Sequence, residues 1–121
     1  MIQLQTCLSV SDNSGAIKLQ CIRIPGTRRK FARLGDEIVG VVKTALPHLA
    51  VKRREVVRAV IVRTKQAQPR KDGSHVRFDD NAVVITDKNH NPIGTRVFGP
   101  LAREVKDKGF PNVAALTLHL L

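Results

Sequence analysis

Residues 51–77, VKRREVVRAVIVRTKQAQPRKDGSHVR, place a run of β-branched residues between two basic clusters. The run Val56 to Val62 reads as a strand, which at about 3.3 Å per residue makes a straight rod roughly 25 Å long. Asp72-Gly73-Ser74 has the composition of a turn beyond it. We therefore predict a cationic arm over residues 51–77 that contacts phosphate and is anchored in a small β core.

Basic residues cluster in this arm and in a loop from Pro25 to Leu34. An Arg guanidinium offers a planar fork to a phosphate group, and a Lys ammonium offers a point charge. Clusters therefore indicate RNA contacts, whereas the isolated Lys18, Lys43 and Lys88 are expected to be solvated. The predicted contact residues are Arg28, Arg29, Lys30, Arg33, Lys52, Arg53, Arg54, Arg63, Lys65, Arg70, Lys71 and Arg77.

The charge distribution supports a polyanionic partner. The 121 residues carry a net charge of +11, and residues 18–77 hold sixteen of the 21 Lys and Arg but only four of the 10 acids. This segregation favours a binding face over a charge that only keeps the protein in solution. Aromatic residues make up 3% of the chain, with no Trp and no Tyr, which argues against a base-stacking platform. The chain is expected to bind RNA through shape and backbone.

The apolar pattern predicts a mainly β protein, a five-stranded β barrel with a short C-terminal helical extension. We expect one domain, with the barrel over about residues 1–99 and the extension over about 100–121. In the second strand the apolar face changes after Cys21, which predicts a bulge. The predicted strands are Gln5 to Ser11, Ala16 to Ile24, Glu37 to Thr44, Val56 to Val62, Val76 to Thr86 and a short Ile93 to Phe98.

The arm strand is apolar on both faces, so its outer face needs a cover, and the C-terminal segment is the candidate. Pro100 suits a first helical position, with an apolar stripe following it and Gly109 as a cap. The segment Val113 to Leu121 fits either a strand or a helical turn.

Catalysis, a metal and a cofactor are not expected. The four histidines, at positions 48, 75, 90 and 119, lack metal-ligand spacing, and the adjacent Asp79 and Asp80 would point to opposite faces of a strand. Cys7 and Cys21 read as small buried apolar residues rather than a disulfide. No apolar run approaches the ~18–20 residues that cross a membrane, so no membrane partner is expected.

Several short motifs occur in one order along the chain: Asp12-Asn13-Ser14-Gly15-Ala16, Gly35-Asp36, the run 58–65 (RAVIVRTK), Asp72-Gly73-Ser74, Arg77-Phe78-Asp79, Asn81-Ala82, the run 92–100 (PIGTRVFGP) and Arg103-Glu104. Together they make the chain, from Ile2 to about Phe110, similar to the large-subunit ribosomal protein family numbered fourteen. That resemblance implies a structural constituent of the large ribosomal subunit with a five-stranded barrel.

The same resemblance implies partners. They are large-subunit rRNA, large-subunit proteins three and nineteen, small-subunit rRNA at intersubunit bridges, and a ribosome silencing factor on a face around Thr95 and Arg96. Arg54 stands where the family usually has Gly, and the tail departs from the family's pattern after Phe110. A bacterial-type scaffold with such departures fits a bacterial cytoplasm or an organelle matrix, mitochondrial or plastid.

One alternative stays open from the residues themselves. A free-standing basic barrel that acts as an RNA-binding regulator or RNA chaperone would show the same charge pattern. It would bind RNA reversibly with little sequence preference, and a substantial pool would lie off the ribosome.

Overall fold

The computed structural model of the protein describes residues 2–25, 31–46, 51–117 and 120–121. Nearly all regular structure is β, with two one-turn helices near the C-terminus. The elements in chain order are β1 Cys7–Val10, β2 Ala16–Arg23, β3 Glu37–Ala45, β4 Val56–Arg63, β5 Gln68–Pro69, β6 His75–Val76, β7 Ala82–Thr86, α1 Glu104–Asp107 and α2 Pro111–Ala114.

Five strands close into a barrel in the order β1-β2-β3-β4-β7. Neighbouring strands are antiparallel except β1 and β7, which run parallel where Ser9 pairs with Ala82 and close the ring. β5 and β6 form a separate two-stranded hairpin inserted between β4 and β7. The predicted mainly β, five-stranded barrel is therefore confirmed, and closure removes the exposed edges that an open sheet would leave.

β2 carries the predicted bulge. Its pairing with β3 shifts register between Ala16 and Lys18, again before Leu19, and again between Cys21 and Arg23. Such shifts increase local twist and let a short sheet curl into a small barrel. At Gly40 on β3 an added Cβ would lie 2.7 Å from the Leu19 Cγ atom, so the close approach of the two strands depends on glycine.

β4 is buried on both faces, as the sequence predicts. Its residues Val57, Ala59 and Ile61 belong to the barrel interior. On the outer face, Val60 and Val62 pack in a second apolar cluster with residues of the C-terminal segment: Leu101, Val105, Phe110 and Val113. Burying such a side chain fully is worth about 1.5–3 kcal/mol. The C-terminal segment therefore completes the fold by covering a strand that would otherwise expose apolar surface. Val56, at the start of the strand, is not covered and is 61% exposed.

The helical extension differs from the prediction in its boundaries. Pro100 does not begin a helix, since α1 starts at Glu104, and Pro111 takes the first position of α2 instead. Gly109 lies between the helices with φ of 105°, a conformation that suits glycine, so its predicted role at a helix end is confirmed. Val113 is helical, and Leu120 forms an isolated bridge with Leu101.

Two strand predictions are wrong. Val76 to Thr86 is not one strand, because residues 77–81 are not in a sheet and separate β6, in the hairpin, from β7, in the barrel. Ile93 to Phe98 is not a strand either, since it makes a single bridge, between Val97 and Asp12, with a second bridge just before it between Pro92 and Thr86. The Asn13 Oδ1 atom accepts the backbone N–H groups of Thr95 and Arg96 in place of a strand partner.

Both cysteines are free thiols. Cys21 is buried in the barrel core, as expected. Cys7 is exposed, so the expectation of a buried apolar residue is wrong there: it begins β1, where its side chain points outward and Leu8 points inward.

Candidate nucleic-acid interface

The turn between β3 and β4 presents the first basic cluster. The Glu55 side chain accepts the Lys52 backbone N–H at 3.0 Å, and the Arg54 N–H reaches the Val42 carbonyl at 2.8 Å. Lys52, Arg53 and Arg54 are all exposed, and none forms an ion pair within the part of the chain described. We call these three residues the turn surface.

Arg54 adopts a left-handed backbone conformation, with φ of 68°. A residue with a Cβ is uncommon there, and the conformation costs roughly 1–2 kcal/mol. The turn thus keeps the geometry that glycine would favour and places a guanidinium at its tip. Compared with a glycine at this position, Arg54 adds a positive charge to the turn at the cost of backbone strain.

The β5–β6 hairpin presents a second basic cluster at the opposite end of the barrel. Its tip is fixed by Asp72, which accepts the Ser74 backbone N–H at 3.0 Å and the Ser74 hydroxyl at 2.6 Å. These hydrogen bonds, the Ser74 hydroxyl first, lower the pKa of Asp72. Lys65, Lys71 and Arg77 are exposed on the hairpin and its flanks.

Arg33 lies at this same end, since Gly35 bonds the Ile61 carbonyl near the end of β4. Its side chain is exposed and lines a cleft of about 650 Å³ together with the hairpin and α1. Arg28, Arg29 and Lys30 fall outside the residues described. We call Arg33, Lys65, Lys71 and Arg77 the hairpin surface.

Arg63 is placed differently from the other predicted contacts. Only 12% of its side chain is exposed, and its Nε atom lies 3.0 Å from the Asp80 carboxylate, an ion-pair distance without hydrogen-bond alignment. The Nη2 atom donates to the Ser11 hydroxyl at 2.5 Å and to Asp80 at 3.2 Å, and Nη1 donates to the Phe98 carbonyl at 3.0 Å. The guanidinium is therefore committed to bonds inside the fold.

Arg70 is also engaged within the chain. Its Nε atom lies 2.8 Å from Glu104 of α1, its Nη2 atom lies 3.4 Å from the same carboxylate, and Nη2 also donates to the Leu121 carbonyl. With 23% of the side chain exposed, part of the guanidinium still faces the cleft. Arg70 thus ties the hairpin to the C-terminal segment.

The segment 93–98 forms a third surface, around the predicted partner face. The Asn13 side chain accepts the Thr95 N–H at 2.7 Å and the Arg96 N–H at 3.0 Å, and donates to the Thr95 hydroxyl at 2.8 Å. Thr95 and Arg96 are exposed between two exposed apolar side chains, Ile93 at 41% and Phe98 at 55%. The role of Asn13 was missed because its partners lie more than eighty residues away.

His90 is another contact that the sequence pattern does not reveal. Its ring stacks on Phe110 at a centroid distance of 4.4 Å. Its Nδ1 atom lies 3.2 Å from the Gly109 carbonyl, and Nε2 lies 3.3 Å from the Glu37 carboxylate. His90 thus joins the loop after β7 to β3 and to the C-terminal segment.

Within the described ranges, no group of three His, Cys, Asp or Glu side chains is arranged to hold a metal ion. The same residues include no helix long and apolar enough to cross a membrane.

The chain is a small, basic β-barrel protein. Its barrel is closed, one strand is buried on both sides, and the exposed cations at both ends suit it to bind a polyanion. Comparison with family models matches residues 1–121, the whole chain, to Ribosomal protein L14p/L23e. The chain therefore belongs to this family, as its motifs indicate, and is a structural constituent of the large ribosomal subunit. Such proteins are typically structural rather than catalytic, and rRNA binding is typical of the family.

Proposed function

We propose that the protein binds large-subunit rRNA through the turn surface and the hairpin surface, without catalysis. The observation that carries this is the position of the free cations. β4 runs from Val56, just after the turn surface, to Arg63, just before the hairpin. At about 3.3 Å per residue the two surfaces are roughly 25 Å apart, so they contact separate stretches of RNA backbone.

Fewer basic residues are proposed to contact RNA than the basic clusters in the sequence suggest. Arg63 and Arg70 are excluded from the phosphate contacts, because the N–H donors of their guanidinium groups are bonded within the chain. Arg28, Arg29 and Lys30 remain in the set because they directly precede Arg33 in a basic stretch. Each phosphate neutralised releases counterions, so affinity is expected to fall steeply with salt.

We also propose, from its similarity to the family, that the protein lies at the subunit interface and helps form bridges to small-subunit rRNA. Large-subunit proteins three and nineteen are the proposed neighbours. The Thr95 and Arg96 face, with Ile93 and Phe98 beside it, offers a cation between apolar side chains, a composition that fits a protein partner such as a silencing factor. The compartment proposed is a bacterial cytoplasm or an organelle matrix.

Sedimentation of a native lysate tests this function. We expect the protein to sediment with the large subunit and to remain there through a high-salt wash. Lysates of the cytosol and of isolated organelles, run separately, identify the compartment by which of them contains the protein. Release into light fractions, with a large pool off the ribosome, would support the free-standing RNA regulator or chaperone instead.

The silencing-factor face is tested by adding small subunits to large subunits that carry either the wild-type protein or an Arg96→Ala variant. With the silencing factor present, we expect the variant to restore subunit joining. Joining that is blocked equally in both would exclude Arg96 from that contact.

A further inference from the structure

The cleft between the hairpin and α1 is a preformed concavity that the family assignment does not explain. Its volume is about 650 Å³, and Leu34, Pro69 and Arg70 lie among the residues that line it. Sites that enclose one small ligand generally measure about 300–1,000 Å³. A paired RNA helix is too broad to enter a space of this size, whereas a single nucleotide is not.

Close packing holds the cleft open. An added Cβ at Gly35 would lie 2.7 Å from the Glu104 carbonyl, so α1 sits directly on the turn before β3. The Lys108 ammonium lies 3.0 Å from Asp36 across the same contact. On the other wall, Arg70 joins the hairpin to Glu104. Three independent contacts thus fix the walls before any ligand arrives.

Arg70 provides a flat surface inside the cleft. Glu104 fixes the plane of its guanidinium by contacts to both Nε and Nη2. Unpaired RNA bases stack on guanidinium planes as well as on aromatic rings. Because the chain has no Trp and no Tyr, a fixed Arg is the planar group available where the cleft needs one.

Three further cations line the same cleft as Arg70. Arg33, Lys71 and Arg103 line the cleft and are exposed, and none forms an ion pair in the described part of the chain. Three acids also line the cleft. Asp72 accepts hydrogen bonds from Ser74, Glu104 is paired with Arg70, and Asp107 is exposed, so the cations without an ion pair outnumber it three to one. The free positive groups are therefore at the rim, where phosphates on either side of an inserted nucleotide would lie.

We propose that this cleft receives one unpaired nucleotide of RNA, with the base on the Arg70 guanidinium and the flanking phosphates at Arg33, Lys71 and Arg103. The proposal rests on the proposed RNA-binding function and adds to it a site for a particular RNA feature. Arg103, the residue immediately before α1, then becomes an RNA contact outside the basic clusters seen in the sequence.

The experiment uses the full chain and two pools of RNA hairpins of equal length, one fully paired and one with a single bulged 2-aminopurine, both with randomised flanking pairs. We expect the bulged pool to bind about tenfold more tightly, because stacking one base is worth about 1–3 kcal/mol. We also expect the 2-aminopurine fluorescence to fall on binding.

Two variants separate stacking from charge. Arg70→Lys keeps the positive charge and its carboxylate partner but removes the plane, so the fluorescence change and the bulge preference should both be lost. Arg103→Ala should reduce the affinity for the bulged pool more than for the paired pool. Lys88→Ala, which removes an exposed charge in the loop after β7, is the matched control and should leave the preference intact.

Thermal melting confirms that each variant is folded before its binding is interpreted. Equal affinity of the wild-type protein for both pools, or a preference that persists in Arg70→Lys, overturns the cleft proposal while leaving RNA binding in place. Failure to bind either pool would instead count against the proposed function itself.

Discussion

Arg63 sits at the end of β4 with 12% of its side chain exposed, and its guanidinium reaches Ser11, Asp80 and the Phe98 carbonyl. An added Cβ at Gly99 would lie 2.2 Å from its Nη1 atom, so the chain folds closely around it. Arg53, three residues before the same strand begins, is exposed on the turn surface. Burial and the number of acceptors within reach, rather than residue type, therefore decide which cations are free for RNA.

Replacing Arg63 with Lys should destabilise the protein by about 1–3 kcal/mol, because an ammonium cannot reach the same separated acceptors. Arg58→Lys is the matched control. Arg58 pairs with Glu37 on the exposed side of the same strand, and such pairs are worth about 0–1 kcal/mol. Urea unfolding measures both. An Arg63→Lys protein of normal stability but weakened RNA affinity would mean that Arg63 contacts RNA after all.

The left-handed Arg54 gives a second prediction at this scale. Arg54→Gly should raise the midpoint of thermal unfolding by about 2 °C, since relief of backbone strain exceeds the added entropy of the unfolded chain by about 0.5 kcal/mol. Arg53→Gly removes the same charge at a position without positive φ and should lower the midpoint. Equal midpoints in the two variants would contradict a strained Arg54.

Asp12 makes the unfolding free energy depend on pH. Its carboxylate accepts the Ser14 N–H and hydroxyl and the Ile85 N–H, yet burial dominates and raises its pKa. The folded state therefore holds the proton more tightly, and the contribution of Asp12 to stability should fall as pH rises through the interval between its unfolded and folded pKa values.

Asp12→Asn does not titrate, so urea unfolding across a pH series should show a wild-type advantage that shrinks as pH rises through that interval. Asn should also lower stability at every pH by about 1–3 kcal/mol, because its amide cannot accept all three hydrogen bonds. A wild-type advantage that grows with pH through the interval would mean that hydrogen bonding outweighs burial at Asp12.

At the scale of elements, the cover over β4 was predictable because Val60 and Val62 give the strand an apolar outer face, in addition to the apolar inner face of Val57, Ala59 and Ile61. The bulge in β2 was predictable for a similar reason, since the apolar residues of the sequence move from one face of the strand to the other after Cys21. The conformation of segment 93–98 was not predictable. Ile93, Val97 and Phe98 are residue types typical of strands, but the N–H groups of Thr95 and Arg96 bond the side chain of Asn13, which is far away in sequence. Local pattern records which side chains are apolar, but it does not record distant partners.

Phe110→Ala should reveal how much the C-terminal cover contributes. Phe110 is 2% exposed in the outer cluster and stacks on His90. Its truncation should lower the unfolding free energy by about 3–5 kcal/mol. It should also increase amide hydrogen exchange in β4. Leu4→Ala, at a side chain 56% exposed, should change stability by no more than about 0.5 kcal/mol. Similar small effects from both would show that the extension is not part of the cooperative fold.

At the scale of the molecule, a closed barrel acts as a rigid spacer between two cationic ends. The charge segregation that marks residues 18–77 predicted an RNA-facing protein but not the division of its cations, since Arg63 and Lys65 are two residues apart yet one is enclosed and the other exposed. The cleft was beyond prediction for the same reason, because Arg33, Lys71 and Arg103 come from three separate segments that meet only when the barrel closes.

The salt dependence of binding to large-subunit rRNA tests the two-ended account most directly. One variant removes the turn surface (Lys52→Ala, Arg53→Ala, Arg54→Gly), a second removes three hairpin cations (Lys65→Ala, Lys71→Ala, Arg77→Ala), and a control removes three scattered ones (Lys18→Ala, Lys43→Ala, Lys88→Ala). Each phosphate contact contributes about 0.7–0.9 to the slope of log affinity against log salt. We expect the first two variants each to reduce that slope by about 2 and the control to leave it unchanged. An equal reduction in all three would contradict the account, because the protein would then bind RNA through its overall charge.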